Sequence, residues 1–209
     1  MPLMKYVSLV VRILANLIPL GGVLFFQWSL FFIMFLYWLE CVIACMFNLL
    51  RMSKAAGTPP APDKRTGDHF LGKPAEEMSL GELILTTSLT YGIFLWVYGW
   101  VFYGLFGPAD IPAGGFVIPI LALLVSYATS YFVDFIGQKE YLKVSPTQVP
   151  RELGAMLAPM VCAAVLAAPF RDAFATRIIG LSILVMAKIL IELGIMTFPT
   201  VSKSDTPAK

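Results

Sequence analysis

Glu40, Lys188 and Glu192 are the residues best suited to chemistry in this sequence, because each is ionisable and each lies inside a long apolar run. Glu40 has eleven residues before it from Ser29 and ten after it to Leu50, which puts it close to the middle of its run. Lys188 sits at a similar depth in the last apolar stretch, and Glu192, four residues on, shares its helix face. A charge at that depth costs about 2.5–3.5 kcal/mol on insertion scales, so it normally faces the bundle interior and pairs. The expectation is a Glu40–Lys188–Glu192 cluster. Two carboxylates around one ammonium leave a surplus negative charge, so the cluster is suited to carrying a proton or binding a cation. The alternative role is structural, an ion pair that sets the register of two helices.

A second constellation is a polar stripe. Ser126, Ser130, Asp134 and Gln138 recur at intervals of four and therefore line one helix face, either as the border of a wet groove or as ordinary interhelical hydrogen-bonding groups. Cys41 and Cys45, also four apart and next to Glu40, have the spacing to touch one soft metal ion, but a closed site needs further ligands. Cysteines on an apolar helix serve mainly as packing residues, so no metal and no cofactor is expected. Cys162 also lies in an apolar run, and no pair of cysteines shows the spacing of a secreted disulfide scaffold. The single histidine, His69, lies in a polar loop, which excludes a bis-histidine haem within this chain's spans. A third face combines small and aromatic residues, Gly92, Trp96, Gly99, Trp100 and Tyr103. It is suited to close helix packing or to a flat ligand such as a pigment or quinone held at a shared interface. No P-loop, HExxH pair or GxSxG elbow is present, and no enzymatic activity is expected.

The elements that must position these residues follow from hydropathy. Hydrophobic residues make up 58% of the 209, and charged residues only 13%, about half the share of a soluble domain. The fold class is therefore all-α, a polytopic integral membrane helical bundle with about six transmembrane helices and the lipid bilayer as solvent. The expected spans are 4–20, 29–50, 80–106, 116–136, 151–168 and 178–198 in one transmembrane domain covering 1–209. Residues 53–79 form a polar loop with no core-forming pattern. Pro19, Gly21 and Gly22 predict a kink or turn after the first span, and Arg12 marks that span as a retained helix rather than a cleaved signal. Ser79 followed by Glu82 has the spacing of a capping box and predicts a helix start there.

With six spans, Lys and Arg concentrate on one side. Lys5, Arg51, Lys54, Lys64, Arg65, Lys73, Lys139, Lys143, Arg151, Lys203 and Lys209 fall in the cytoplasm with both termini, leaving Arg171 and Arg177 opposite. The net charge of +2 and the scattering of basic residues exclude a nucleic-acid footprint.

Asn16-Leu-Ile-Pro-Leu-Gly-Gly, Trp28-Ser29, Tyr37-Trp38-Leu39-Glu40 and Asn48-Leu-Leu-Arg51-Met52 together resemble an uncharacterised family of bacterial polytopic membrane proteins, whose second helix carries Tyr-Trp-x-Glu-Asn. The resemblance covers about the first 52 residues, with a weaker echo at Lys188. It implies a fold in the bacterial inner membrane rather than an activity. Cys41 stands where that pattern has Asn, and the histidines of the family's later helices are missing here. The functional expectation is a non-catalytic accessory or assembly subunit packed against other integral membrane subunits. The alternative is a small proton- or ion-coupled transporter using the Glu40–Lys188–Glu192 cluster.

Overall fold

The computed structural model describes residues 28–57, 69–70, 73–74, 77–106 and 115–149, together with scattered positions between 10 and 26. Four helices are built from them, of which three are long and apolar enough to cross a membrane: Phe31–Lys54, Leu80–Gly104 and Val117–Gly137. The expected spans 151–168 and 178–198 lie outside the described residues, as do Lys188 and Glu192.

Of the kink or turn expected after Leu20, the turn does not form, because Gly21, Gly22 and Leu24–Phe26 all belong to a short apolar helix, α1 (Leu17–Phe26). The glycine pair reads as a break on propensity alone. In the fold its missing side chain makes room: a Cβ at Gly22 would fall within the Trp28 indole, and the backbone N–H of Trp28 donates to the Gly22 carbonyl at 3.1 Å.

Ser29 starts α2 (Leu30–Lys54) by accepting the Phe32 N–H on its hydroxyl at 3.2 Å. The helix continues four residues past the expected end at Leu50. Its last turn carries Arg51 and Lys54, whose positive charges complement the carbonyl end of the helix dipole. Helix α3 (Leu80–Phe106) begins with the reciprocal cap that its sequence predicts. The Ser79 N–H donates to Glu82 Oε2 at 2.8 Å, and the Glu82 N–H donates back to Ser79 Oγ at 3.3 Å. Helix α4 covers only Val117–Thr129, and the chain then widens into a π-helix over Ser130–Gly137 before a single 3₁₀ turn at Glu140–Leu142. A sequence read at the α period for all of 116–136 misses this change, because hydropathy is blind to which carbonyl each N–H selects. In the polar loop, His69–Phe70 pairs antiparallel with Lys73–Pro74, so that stretch is not wholly irregular.

Helix α2 is the centre of the packing. Half of its most apolar stretch is buried, against 22% for α3 and 28% for α4. α3 runs antiparallel to it: Phe31 stacks on Phe102 at 4.9 Å, Trp38 reaches Leu95, and Met52 packs with Leu83. α4 runs parallel to it on another side, where Phe47 meets Tyr127 at 6.1 Å and Tyr131 at 6.0 Å. Lipid tails are as apolar as leucine, so dispersion contacts and interhelical hydrogen bonds hold such helices together.

Beyond the π-helix the chain folds back onto the end of α2. The Ala56 N–H donates to the Tyr141 carbonyl at 2.7 Å and the Gly57 N–H to the Val144 carbonyl at 3.0 Å, while Val149 joins Met52 and Leu83 in a small apolar cluster. Ser145 is fully buried there, its N–H satisfied by the Gln148 side chain at 3.0 Å.

Candidate functional site

Two faces of α2 divide the site. Tyr37, Cys41, Ala44 and Cys45 recur at helical spacing and face α3, where they pack with Leu95, Tyr98 and Phe102. Cys41 and Cys45 are buried and not joined in a disulfide, and among the described residues no group of three His, Cys, Asp or Glu is close enough to hold a metal ion. Cys162 lies outside the described residues, and His69 lies in the short hairpin.

Glu40 occupies a second column, with Phe47 seven and Arg51 eleven residues further along α2. At Phe47 and Arg51 this column faces α4 and the π-helix that follows it. Glu40 is only 7% exposed, in keeping with an inward-facing intramembrane acid. Its expected partners Lys188 and Glu192 lie outside the described residues. Two turns along, Phe47 lies against Tyr127 and Tyr131, and one turn further Arg51 leaves α2 toward the π-helix.

The polar stripe divides by depth. Ser126 and Ser130 are buried at 5% and 3% exposure, whereas Asp134 and Gln138 are half-buried near the helix end. Gln138 Nε2 donates to Asp134 Oδ1 at 3.1 Å. Ser130 Oγ accepts from an Arg51 guanidinium nitrogen at 2.9 Å, and the same guanidinium lies 5.7 Å from the centre of the Phe135 ring. Ser130 and Phe135 are five residues apart. In an α-helix they would diverge by about 140°, but a π-helix bonds i to i+5 and brings such residues back toward one side. The widened register therefore lets one arginine meet both a hydroxyl and a ring face. Sequence reading placed Arg51 at the exit of α2 and left it out of the stripe. The available signal was its helical column with Glu40 and Phe47; its reach to Ser130 had none.

The buried Thr86 and Thr87 were also missed. Antiparallel packing puts Thr87 at the level of Asn48, which is buried too, and Thr87 Oγ1 has no hydrogen-bond partner among the described residues.

Replacing Arg51 with leucine is expected to lower stability by about 2 kcal/mol, the worth of one charge-assisted hydrogen bond plus a modest cation–π contact. Arg51→Lys should recover part of the loss. Unfolding by sodium dodecyl sulfate titration in mild detergent measures it; a leucine variant as stable as the parent would show that the Ser130 contact contributes nothing.

The third candidate face also divides. Gly99 faces α2: a Cβ there would stand 3.3 Å from Trp38 Nε1, which donates to the Leu95 carbonyl at 2.9 Å. Trp96, Trp100 and Tyr103 point outward at 66%, 63% and 51% exposure, with the two indoles 6.2 Å apart edge to face. A Cβ at Gly92 would meet no described atom within 4 Å.

Three membrane-length apolar helices packed by aromatic, small and hydrogen-bonding residues define a helical integral membrane protein. Within that class, the chain belongs to a family of unknown function, DUF6498, which it matches over residues 4–207. Neither the curated proteins nor the solved structures contain a match to it.

Proposed function

We propose that this protein is a non-catalytic accessory or assembly subunit of a larger complex in the bacterial inner membrane, with six spans and both termini in the cytoplasm. The observation that carries the reading is the outward face of α3. Gly92 is the midpoint of the Leu80–Gly104 span, so Trp96 lies about 6 Å and Trp100 about 12 Å from the centre of that span along the axis. The hydrocarbon half-thickness is about 15 Å. An interfacial aromatic belt accounts for Tyr103, some 16 Å out, but not for an exposed indole as deep as Trp96 beside an open glycine. A helix or a flat pigment or quinone from a neighbouring subunit fits that surface, since glycine permits close approach and the rings supply area.

Gentle detergent extraction of the native protein, then size-exclusion chromatography with mass spectrometry and an absorption spectrum of the peak, tests this. Stoichiometric partner chains that are lost in a Gly92→Leu/Trp96→Ala double variant support it. A colourless, partner-free particle overturns it and favours the second reading, a proton- or ion-coupled transporter using Glu40, Lys188 and Glu192. The burial of Glu40 favours that alternative, and proton flux abolished by Glu40→Gln is its signature.

A further inference from the structure

The docked turn after the π-helix collects charge at one end of the bundle. Lys54 ends α2, and Ala56 and Gly57, two and three residues later, are hydrogen-bonded to Tyr141 and Val144. Lys139 and Lys143 flank the 3₁₀ turn in the same segment, so three exposed lysines surround one piece of backbone docking. Across 51–57 and 134–143 there are four basic residues against two acidic ones. Arg51 is turned inward to Ser130 and Phe135, Asp134 accepts from Gln138, and Glu140 is half-buried. The outward-facing charge of these two segments is therefore positive; at the adjoining start of α3, Glu77 and Glu82 are exposed as well, with Glu82 engaged by the Ser79 N–H and hydroxyl.

One further feature points to a ligand with both charge and acyl chains. On the membrane side of the lysines, exposed apolar side chains continue down the same elements. Met46 and Leu50 precede Lys54 on α2, and Phe132 and Ile136 precede Lys139 on the π-helix. Leu142 is exposed between Lys139 and Lys143. A soluble acidic partner would use the charge alone.

We propose that this end of the bundle is a binding site for anionic phospholipid, with Lys54, Lys139 and Lys143 holding the headgroup phosphate and the apolar flanks of α2 and the π-helix taking the chains. The site does not depend on the accessory-subunit reading. A lysine near an anionic membrane surface contributes about five-fold in affinity, and three together give a preference well above tenfold.

The test uses the full chain purified in mild detergent. Phosphatidylglycerol and phosphatidylcholine with identical acyl chains are added in equal amounts, and retained lipid is counted by native mass spectrometry. Retention of phosphatidylglycerol over phosphatidylcholine by at least about tenfold is expected, collapsing toward unity in Lys54→Gln/Lys139→Gln/Lys143→Gln and restored in the corresponding triple arginine variant. Equal retention of both lipids by the parent, or an unchanged preference in the glutamine variant, overturns the proposal. Displacement of phosphatidylglycerol by millimolar inorganic phosphate would also overturn it, by showing a simple anion site with no part for the chains. The arginine variant separates lost charge from lost fold.

Discussion

Trp38→Ala should destabilise the protein by about 3 kcal/mol, the lower end of the range for truncating a packed aromatic side chain, because Trp38 is half-buried. Two contributions are lost together. The indole fills the space over Gly99, and its N–H donates to the Leu95 carbonyl. That carbonyl also lies where the helical N–H of Gly99 is directed, so losing the tryptophan does not orphan a backbone acceptor, and Trp38→Phe should cost only about 1 kcal/mol. The converse change tests the same contact from α3. Gly99→Val places branched carbons where a single Cβ already stands 3.3 Å from Nε1 and should approach the cost of Trp38→Ala. Combining it with Trp38→Ala should then add far less than the sum, because both act on one contact. Detergent titration followed by circular dichroism measures all of these; full additivity in the double variant would show that the two residues do not share a contact.

The other large effect is expected at Gly57. A Cβ there would stand 2.6 Å from the carbonyl carbon and oxygen of Lys143 and 2.7 Å from the carbonyl carbon of Val144. These are backbone atoms, so the clash is not relieved by rotating a flexible side chain. Gly57→Val must push the 140–149 segment off the end of α2, breaking the Ala56–Tyr141 and Gly57–Val144 hydrogen bonds and loosening Val149 from Met52 and Leu83. About 3 kcal/mol is expected. Because the damage is local to the docked turn, limited proteolysis should show new cleavage between 138 and 149 while the α2–α3 contacts persist. Unchanged protease resistance would mean that the docking contributes little. The same variant should weaken the retention of phosphatidylglycerol, since this docking is what holds the segment of Lys139 and Lys143 against the end of α2 that carries Lys54.

The burial of Glu40, Ser126 and Ser130 was legible in the sequence; which neighbour each singled-out residue meets was less so. Glu40 was recognisable because an acid in the middle of an apolar run has few alternatives to facing inward, and Ser126 and Ser130 because a period of four marks one face of a helix. Spacing gave no indication that Gly99 alone of the small-aromatic face would meet α2 while Trp96 and Trp100 faced outward. All five residues fall on neighbouring parts of one helix surface, and the neighbour decides which edge is covered. Of the kink or turn expected at Pro19, Gly21 and Gly22, the turn is absent for a related reason: glycine propensity describes an isolated chain, and here an indole packs on the gap left by Gly22.

What the sequence determined by itself is whatever depends on local chemistry. The membrane-length apolar runs follow from hydropathy, the start of α3 from the Ser79–Glu82 pair, and the start of α2 from Ser29. Hydrophobicity and capping act within a few residues, so they can be read in order along the chain. Tertiary structure alone decided that α2 lies between α3 and α4, that the chain past Thr129 widens to a π-helix, that Arg51 turns in to Ser130 and Phe135, and that Gly57 seats against Lys143 and Val144. Each of these is a choice among nearly equal local conformations. Which one prevails is set by contacts between residues far apart in sequence, 79 positions in the case of Arg51 and Ser130.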